Sequence, residues 1–176
     1  MTRRSTLISL VAAMVLPISL IATDALSAVV ASTGGALLRV DNRSDITPSS
    51  TASVAFVTLP GAAINFSLST GRLIKARFTA ASKCVKFGSG SSCAVRIVAI
   101  NTGTSAIVEL HPQAGFGFAF DSDVTATTDD FGEAHAMDRS LRLAAGNYSI
   151  RVQFAVTDTS TAFTLDDWHF SVETFQ

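Results

Sequence analysis

From Asn147 to Val156 apolar and polar residues alternate strictly. Tyr148, Ile150, Val152, Phe154 and Val156 fall on one side of the chain, and Ser149, Arg151, Gln153 and Ala155 on the other. Successive side chains of an extended chain point to opposite faces, so this pattern predicts a half-buried antiparallel strand. Arg72–Ala81 repeats it, with Ile74, Ala76, Phe78 and Ala80 inward and Lys75, Arg77 and Thr79 outward. In Cys93–Ile100, Val95, Ile97 and Ala99 oppose Arg96. Further strands are expected at Leu37–Val40, Ala52–Leu59, Ala63–Leu68, Ser105–Leu110, Gly115–Phe120, His135–Leu143 and Phe163–Glu173. Clusters of Gly, Pro, Asn, Asp and Ser separate these runs, and no stretch after Ala28 has sustained helical periodicity. Many short strands without a helix predict an all-β fold, a two-sheet antiparallel β-sandwich of jelly-roll-like type.

Two details of phase sharpen the picture. In the last run Phe163 and Leu165 occupy odd positions, whereas Trp168, Phe170 and Val172 occupy even ones. One extra residue that re-aims the following side chains is a β-bulge, expected at Asp166–Asp167. Cys84 shares the even phase of Ile74 and Phe78, and Cys93 the odd phase of Val95 and Ile97. Both sulfurs therefore reach the same side, and the expectation is a hairpin stapled by a Cys84–Cys93 disulfide. That register would set Ala80 across from Ile97 and Phe78 across from Ala99.

The first residues carry a different signal. Arg3 and Arg4 precede an apolar run from Leu7 to Ala22 that contains Pro17, and the small-residue stretch Ala25-Leu26-Ser27-Ala28 follows. This is the layout of a signal peptide over residues 1–27. The run is short and proline-broken for a span, which takes about 20 apolar residues. Residues 28–50, rich in Ser, Thr, Gly and Asp, are expected to form a flexible N-terminal arm, and residues 51–176 a single domain. Secretion, or residence in the periplasm or at the cell surface, agrees with the pair of cysteines, since disulfides persist in oxidising compartments.

Charge and composition then remove whole classes of function. Of 176 residues, 13 are Lys or Arg and 14 are Asp or Glu, for a formal net charge of -1. A nucleic-acid binder needs a basic excess to displace counterions, and none is present. Lys75, Arg77, Lys83, Lys86 and Arg96 cluster on the outward side of the expected hairpin, where cations blunt edge pairing. No Gly-x-Ser-x-Gly elbow occurs in a strand-to-helix setting. Among His111, His135 and His169, His135 with Asp138 or His169 beside Asp167 could supply a base and its orienting carboxylate, provided that folding added a nucleophile. No catalytic residue is assigned.

The strongest local feature is acidic: Asp121, Asp123, Asp129, Asp130 and Glu133 lie within 13 residues. Calcium accepts several hard oxygen ligands from flexible loops, which makes these residues the candidate metal ligands, although the spacing is not that of an EF-hand. Asp166 and Asp167 would join them if the bulge lies at the same end. Of the aromatic residues, Trp168 and Tyr148 share the apolar phase and are expected to be buried, and Phe116, Phe118 and Phe120 form a stripe beside the flat series Gly115, Gly117 and Ala119. The layout resembles exported bacterial jelly-roll domains in general, a likeness of architecture that assigns no activity. The reading is a non-catalytic binding or adhesion module with Asp121–Glu133 and Asp166–Asp167 as its contact surface. Its partner would be an extracellular glycan or protein, with no nucleic acid and no stable membrane span. The alternatives are a self-associating subunit of the C1q-like trimer type and a small secreted hydrolase.

Overall fold

The computed structural model describes residues 35–86, 91–113, 119–123 and 132–176. Among the described residues there are ten strands: β1 (Leu37–Asp45), β2 (Ser49–Thr51), β3 (Val57–Leu68), β4 (Arg72–Lys86), β5 (Ser91–Asn101), β6 (Ile107–Glu109), β7 (Asp121–Asp123), β8 (Glu133–Leu143), β9 (Gly146–Val156) and β10 (Thr161–Phe175). One sheet has the order β1-β10-β4-β8, with β2 also on β10; the other runs β3-β9-β5-β6, with β7 also on β5. Every pairing is antiparallel. From β3 to β5 and again from β8 to β10 the chain changes sheet at each connection, which is the connectivity of a jelly roll. The signal-peptide residues, the Gly115–Phe118 part of the aromatic stripe and the acidic positions Asp129 and Asp130 lie outside the described residues.

The core is the space between the two inner faces. Ile74, Ala76, Phe78 and Ala80 of β4 and Phe163, Leu165, Phe170 and Val172 of β10 meet Val95 and Ile97 of β5 and Ile150, Val152 and Phe154 of β9. Phe154 and Phe163 make a cross-sheet ring contact at 5.9 Å between centroids, and Phe78 sits 6.4 Å from Trp168 and 5.7 Å from Phe120. Strand β9 departs from simple alternation, because Ser149 and Gln153 on its outer face are also buried. They are covered by their own hydrogen bonds: Arg151 Nε donates to Ser149 Oγ at 3.0 Å, and Arg96 Nε donates to Gln153 Oε1 at 2.8 Å. Arg96 also lies 4.2 Å over the Phe56 ring. A central strand flanked on both sides gives long arginine stems apolar surface to cover.

The expected bulge is present. Asp166 pairs with Ala81 and His169 with Thr79, so Asp167 and Trp168 together oppose Ala80. Asp167 takes a φ of 46°, and the shift carries Trp168 into the core, where it is 2% exposed. Across the sandwich a second irregularity lies between Thr58 and Ala63 of β3. It joins Val57–Leu59 of one expected strand to Ala63–Leu68, while residues 52–56 of the expected Ala52–Leu59 strand are not in a strand. Gly61 has a φ of 76°, and a Cβ there would lie 3.3 Å from the Trp168 ring. Only glycine meets both conditions without strain.

Two expectations are corrected. Residues 37–45 are not part of a loose arm: they form β1, paired along β10 from Leu37–Phe175 to Asp45–Trp168. Only Leu37–Val40 carries an apolar strand signal; beyond Val40 the alternation is of charge rather than hydropathy, and the backbone ladder on β10 is what holds it. The second correction is the hairpin. The disulfide is real, with S–S at 2.10 Å, but β4 and β5 belong to different sheets, so it joins the two layers. Ala80 therefore faces Trp168 and His135 on its own sheet instead of pairing with Ile97, and the cations thought to share one hairpin are divided between two sheets. Parity did not separate the two cases. Sulfurs on facing inner surfaces converge just as well as sulfurs on one surface.

Candidate functional site

Position 82 breaks the inward row of β4: between Ala80 and Cys84 stands Ser82, 2% exposed. A hydroxyl in that position must find partners within the protein. Strand β8 supplies one of them. Ala80 pairs with His135 and Ser82 with Glu133, so both β8 side chains project toward the same inner face, at the edge of the sheet. The opposite sheet supplies the other partner, because β7 sets Asp121 directly across from Cys93. The disulfide thus stands next to the residues it brings together.

Ser82 Oγ lies 2.8 Å from Asp121 Oδ2 and 2.8 Å from His135 Nδ1. The proton inventory orders this chain. An ionised carboxylate only accepts, so the Ser82 hydroxyl donates to Asp121, and its oxygen in turn accepts from His135 Nδ1–H. The proton of neutral His135 therefore resides on Nδ1. Nε2 points away from the serine, 3.7 Å from Glu133 Oε2. The imidazole packs on Phe120 with 5.5 Å between ring centroids, and its side chain is 29% exposed. A nucleophilic serine needs the opposite arrangement, with the imidazole accepting the hydroxyl proton. Here the hydroxyl is buried and its proton is directed at a carboxylate.

Further along β8 the inward positions return to the core at Met137 and Leu143, with Arg139 between them. Arg139 Nη1 donates to the Asp138 carbonyl at 2.9 Å, and burial pulls its guanidinium pKa down against the opposing pull of Glu109 and Asp138. His111 and Ser140 close this edge by exchanging backbone N–H···O bonds of 2.9 Å, which link β8 to the segment after β6.

Of the five acidic candidates, Asp129 and Asp130 lie outside the described residues, and of the other three Asp121 and Glu133 meet at the Ser82–His135 cluster. Asp121 is held by Ser82, Asp123 ends β7 with its backbone paired to Ser91, and Glu133 is exposed beside His135. Among the described residues no group of three or more metal-ligating side chains is assembled. Asp166 reaches the same height on the first sheet, since Ala81 pairs with both Asp166 and Ala134, but its phase is that of the outer face. Its Oδ1 accepts the Asp167 N–H at 2.8 Å, so the bulge does not extend the inner cluster. His135 and Asp138 also point to opposite faces. Asp138 pairs with Arg77 at 2.9 Å on the outside, and His169 is an exposed neighbour of Thr79. Sequence reasoning named Asp121 and Glu133 together as metal ligands and His135 apart from them, and missed Ser82. The available signal was a lone hydroxyl in an apolar inward row.

No protein-family model matches the sequence, and no curated protein is similar to it. The fold is similar to parts of solved structures at low identity. These include the structure of infectious bursal disease virus Gx strain, with 13% identity, a TM-score of 0.44 and 78% of this chain covered. Dimeric latent PorU from Porphyromonas gingivalis gives 14%, 0.40 and 78%. The CBM22-1 xylan-binding domain from Paenibacillus barcinonensis Xyn10C gives 10%, 0.36 and 83%, and 99% of that domain is covered. The chain spans 32% and 12% of the lengths of the first two.

Proposed function

We propose that this chain is an exported, non-catalytic β-sandwich module that binds an extracellular glycan or protein at the sandwich end bearing Asp121, Glu133 and His135. The observation that carries this reading is the hydrogen-bond chain from His135 through Ser82 to Asp121. It fixes an imidazole in one orientation beside an exposed carboxylate, on a frame that a disulfide closes between the sheets. Such a group presents the ring nitrogen Nε2 beside the Glu133 carboxylate, polar groups suited to sugar hydroxyls or to a protein surface. A hydrolase reading has less support, because the serine nearest to the histidine is buried and gives its proton to a carboxylate.

Calcium enters as part of the same proposal: the acidic stretch Asp121–Glu133 is the segment that would recruit it. The test is binding of the protein purified from culture medium to a glycan array and to extracellular protein fractions, with and without calcium. The expected result is a ligand whose binding falls at least about tenfold in Glu133→Gln and His135→Ala, whose folding is verified by thermal melts. Binding unaffected by both substitutions would relocate the contact surface. Calorimetric titration with calcium that gives neither heat nor a rise in melting temperature would remove the metal. Amino-terminal sequencing of the exported protein checks cleavage after residue 27.

A further inference from the structure

Strand β1 ends the first sheet, and among the described residues nothing pairs with its outer edge. A nine-residue open edge is a template for another strand, and proteins usually blunt it with Pro, Lys or a bulge. This one carries charge of alternating sign instead. Arg39, Asp41, Arg43 and Asp45 pair with Thr174, Val172, Phe170 and Trp168 of β10, and so share the phase of the inner face. Val40, Asn42 and Ser44 occupy the other face, where Val40 is 45% exposed, and the register with β10 shifts at Leu38. Arg39 bonds Asp41 of its own strand, with Nη2 to Oδ1 at 2.8 Å, and Arg43 has no ion pair among the described residues.

We infer that two copies of this chain pair through β1, edge to edge and antiparallel, about a two-fold axis at Asn42. The charge sequence selects that register. Centred on Asn42, Asp41 of each copy faces Arg43 of the other, and Arg39 faces Asp45, so all four charged positions of both strands meet opposite charges. Centring on Asp41 or on Arg43 sets like charges against each other. Centring on Val40 or Ser44 matches only the Arg39–Asp41 or the Arg43–Asp45 pair. Inward charges that would repel an unrelated strand are complementary to the second copy, because opposite charges directly across a ladder attract and like charges repel. The result is a continuous sheet through two sandwiches. This pairing lies at a sheet edge and does not depend on the binding site proposed above. It sets the number of such sites per particle.

Sedimentation velocity of the exported protein across about 1 to 500 μM tests it. The expected result is a monomer–dimer equilibrium. Asp41→Arg and Arg43→Asp each place like charges across the symmetric interface twice, and each variant alone is expected to dimerise at least about tenfold more weakly. Mixed together, they form opposite-charge contacts at both positions, and the mixture regains a heterodimer of wild-type affinity. Both positions are on an edge strand, and matched thermal melts establish that each variant folds. A wild-type monomer at every concentration overturns the proposal, as does a dimer indifferent to the single substitutions or a mixture that stays monomeric.

Discussion

Cys84 and Cys93 lie nine positions apart in sequence, with Cα atoms 5.9 Å apart, yet they belong to opposite sheets of the sandwich. The bond therefore closes the end at which β4 leaves one layer and β5 enters the other. It also fixes the spacing between Ser82 on the first sheet and Asp121 on the second. A link between layers resists separation of the sheets, which a bond within one hairpin would not do.

Replacing both cysteines by alanine removes this brace. The closed loop is short, so the loss of unfolded-state restraint amounts to about 2–3 kcal/mol. For a domain of this size the melting temperature falls by roughly 5–12 °C. Thermal unfolding of Cys84→Ala/Cys93→Ala against the oxidised parent measures it. An unchanged melting temperature would mean that the sheets hold together at that end without the bond.

Gly61 and Asp167 pass on either side of Trp168 and respond in opposite ways to substitution. Gly61→Ala meets both a left-handed φ and the indole ring, and is expected to cost about 1–3 kcal/mol. Asp167→Gly relieves a positive φ and is expected to be neutral or stabilising by up to about 1 kcal/mol, less the turn made by Asp166. Denaturant titrations of the two variants check the contrast. Equal destabilisation would show that the bulge needs the aspartate side chain itself.

The order of protons in the polar cluster is directly observable. Neutral His135 is expected as the Nδ1–H tautomer, read from its ring nitrogen shifts by NMR. Ser82→Ala leaves the Asp121 carboxylate and His135 Nδ1–H without their shared partner and is expected to destabilise the domain by about 1–3 kcal/mol. An Nε2–H tautomer in the parent protein would reverse the chain and reopen the serine to chemistry.

Asp45 gives a pH dependence of known sign. Its Oδ1 accepts the Thr47 N–H at 2.9 Å, and that hydrogen bond holds the carboxyl below its ordinary pKa of 3.8. Its contribution to stability is present above the ordinary pKa and is lost as the pH falls through the depressed folded value. Asp45→Ala is therefore expected to reduce the acid-side slope of stability against pH and to leave the neutral-to-alkaline side parallel to the parent. The Asp45 carboxyl titration followed by NMR gives the direction independently. A midpoint above 3.8 would contradict it.

The long strands β4, β5, β8, β9 and β10, the bulge and the burial of Trp168 were legible in the chain because each is a local fact of periodicity. Apolar residues two apart need one face, and a change of phase needs one extra residue. The pairing of the two cysteines was legible for the same reason, since they are the only two and their phases agree. Tertiary structure decided the rest. Inward phase is identical for a hairpin and for a crossover between sheets, so only the assembled sandwich determines which layer Cys93 joins. Beyond Val40 strand β1 has a sequence that fits no apolar pattern, and β10 holds that part through backbone hydrogen bonds that any sequence can make. Ser82 lies 39 positions from Asp121 and 53 from His135, and nothing local to any of them names the other two. Their meeting required β7 and β8 to arrive from different sheets at one end of β4, where a buried hydroxyl had to be satisfied.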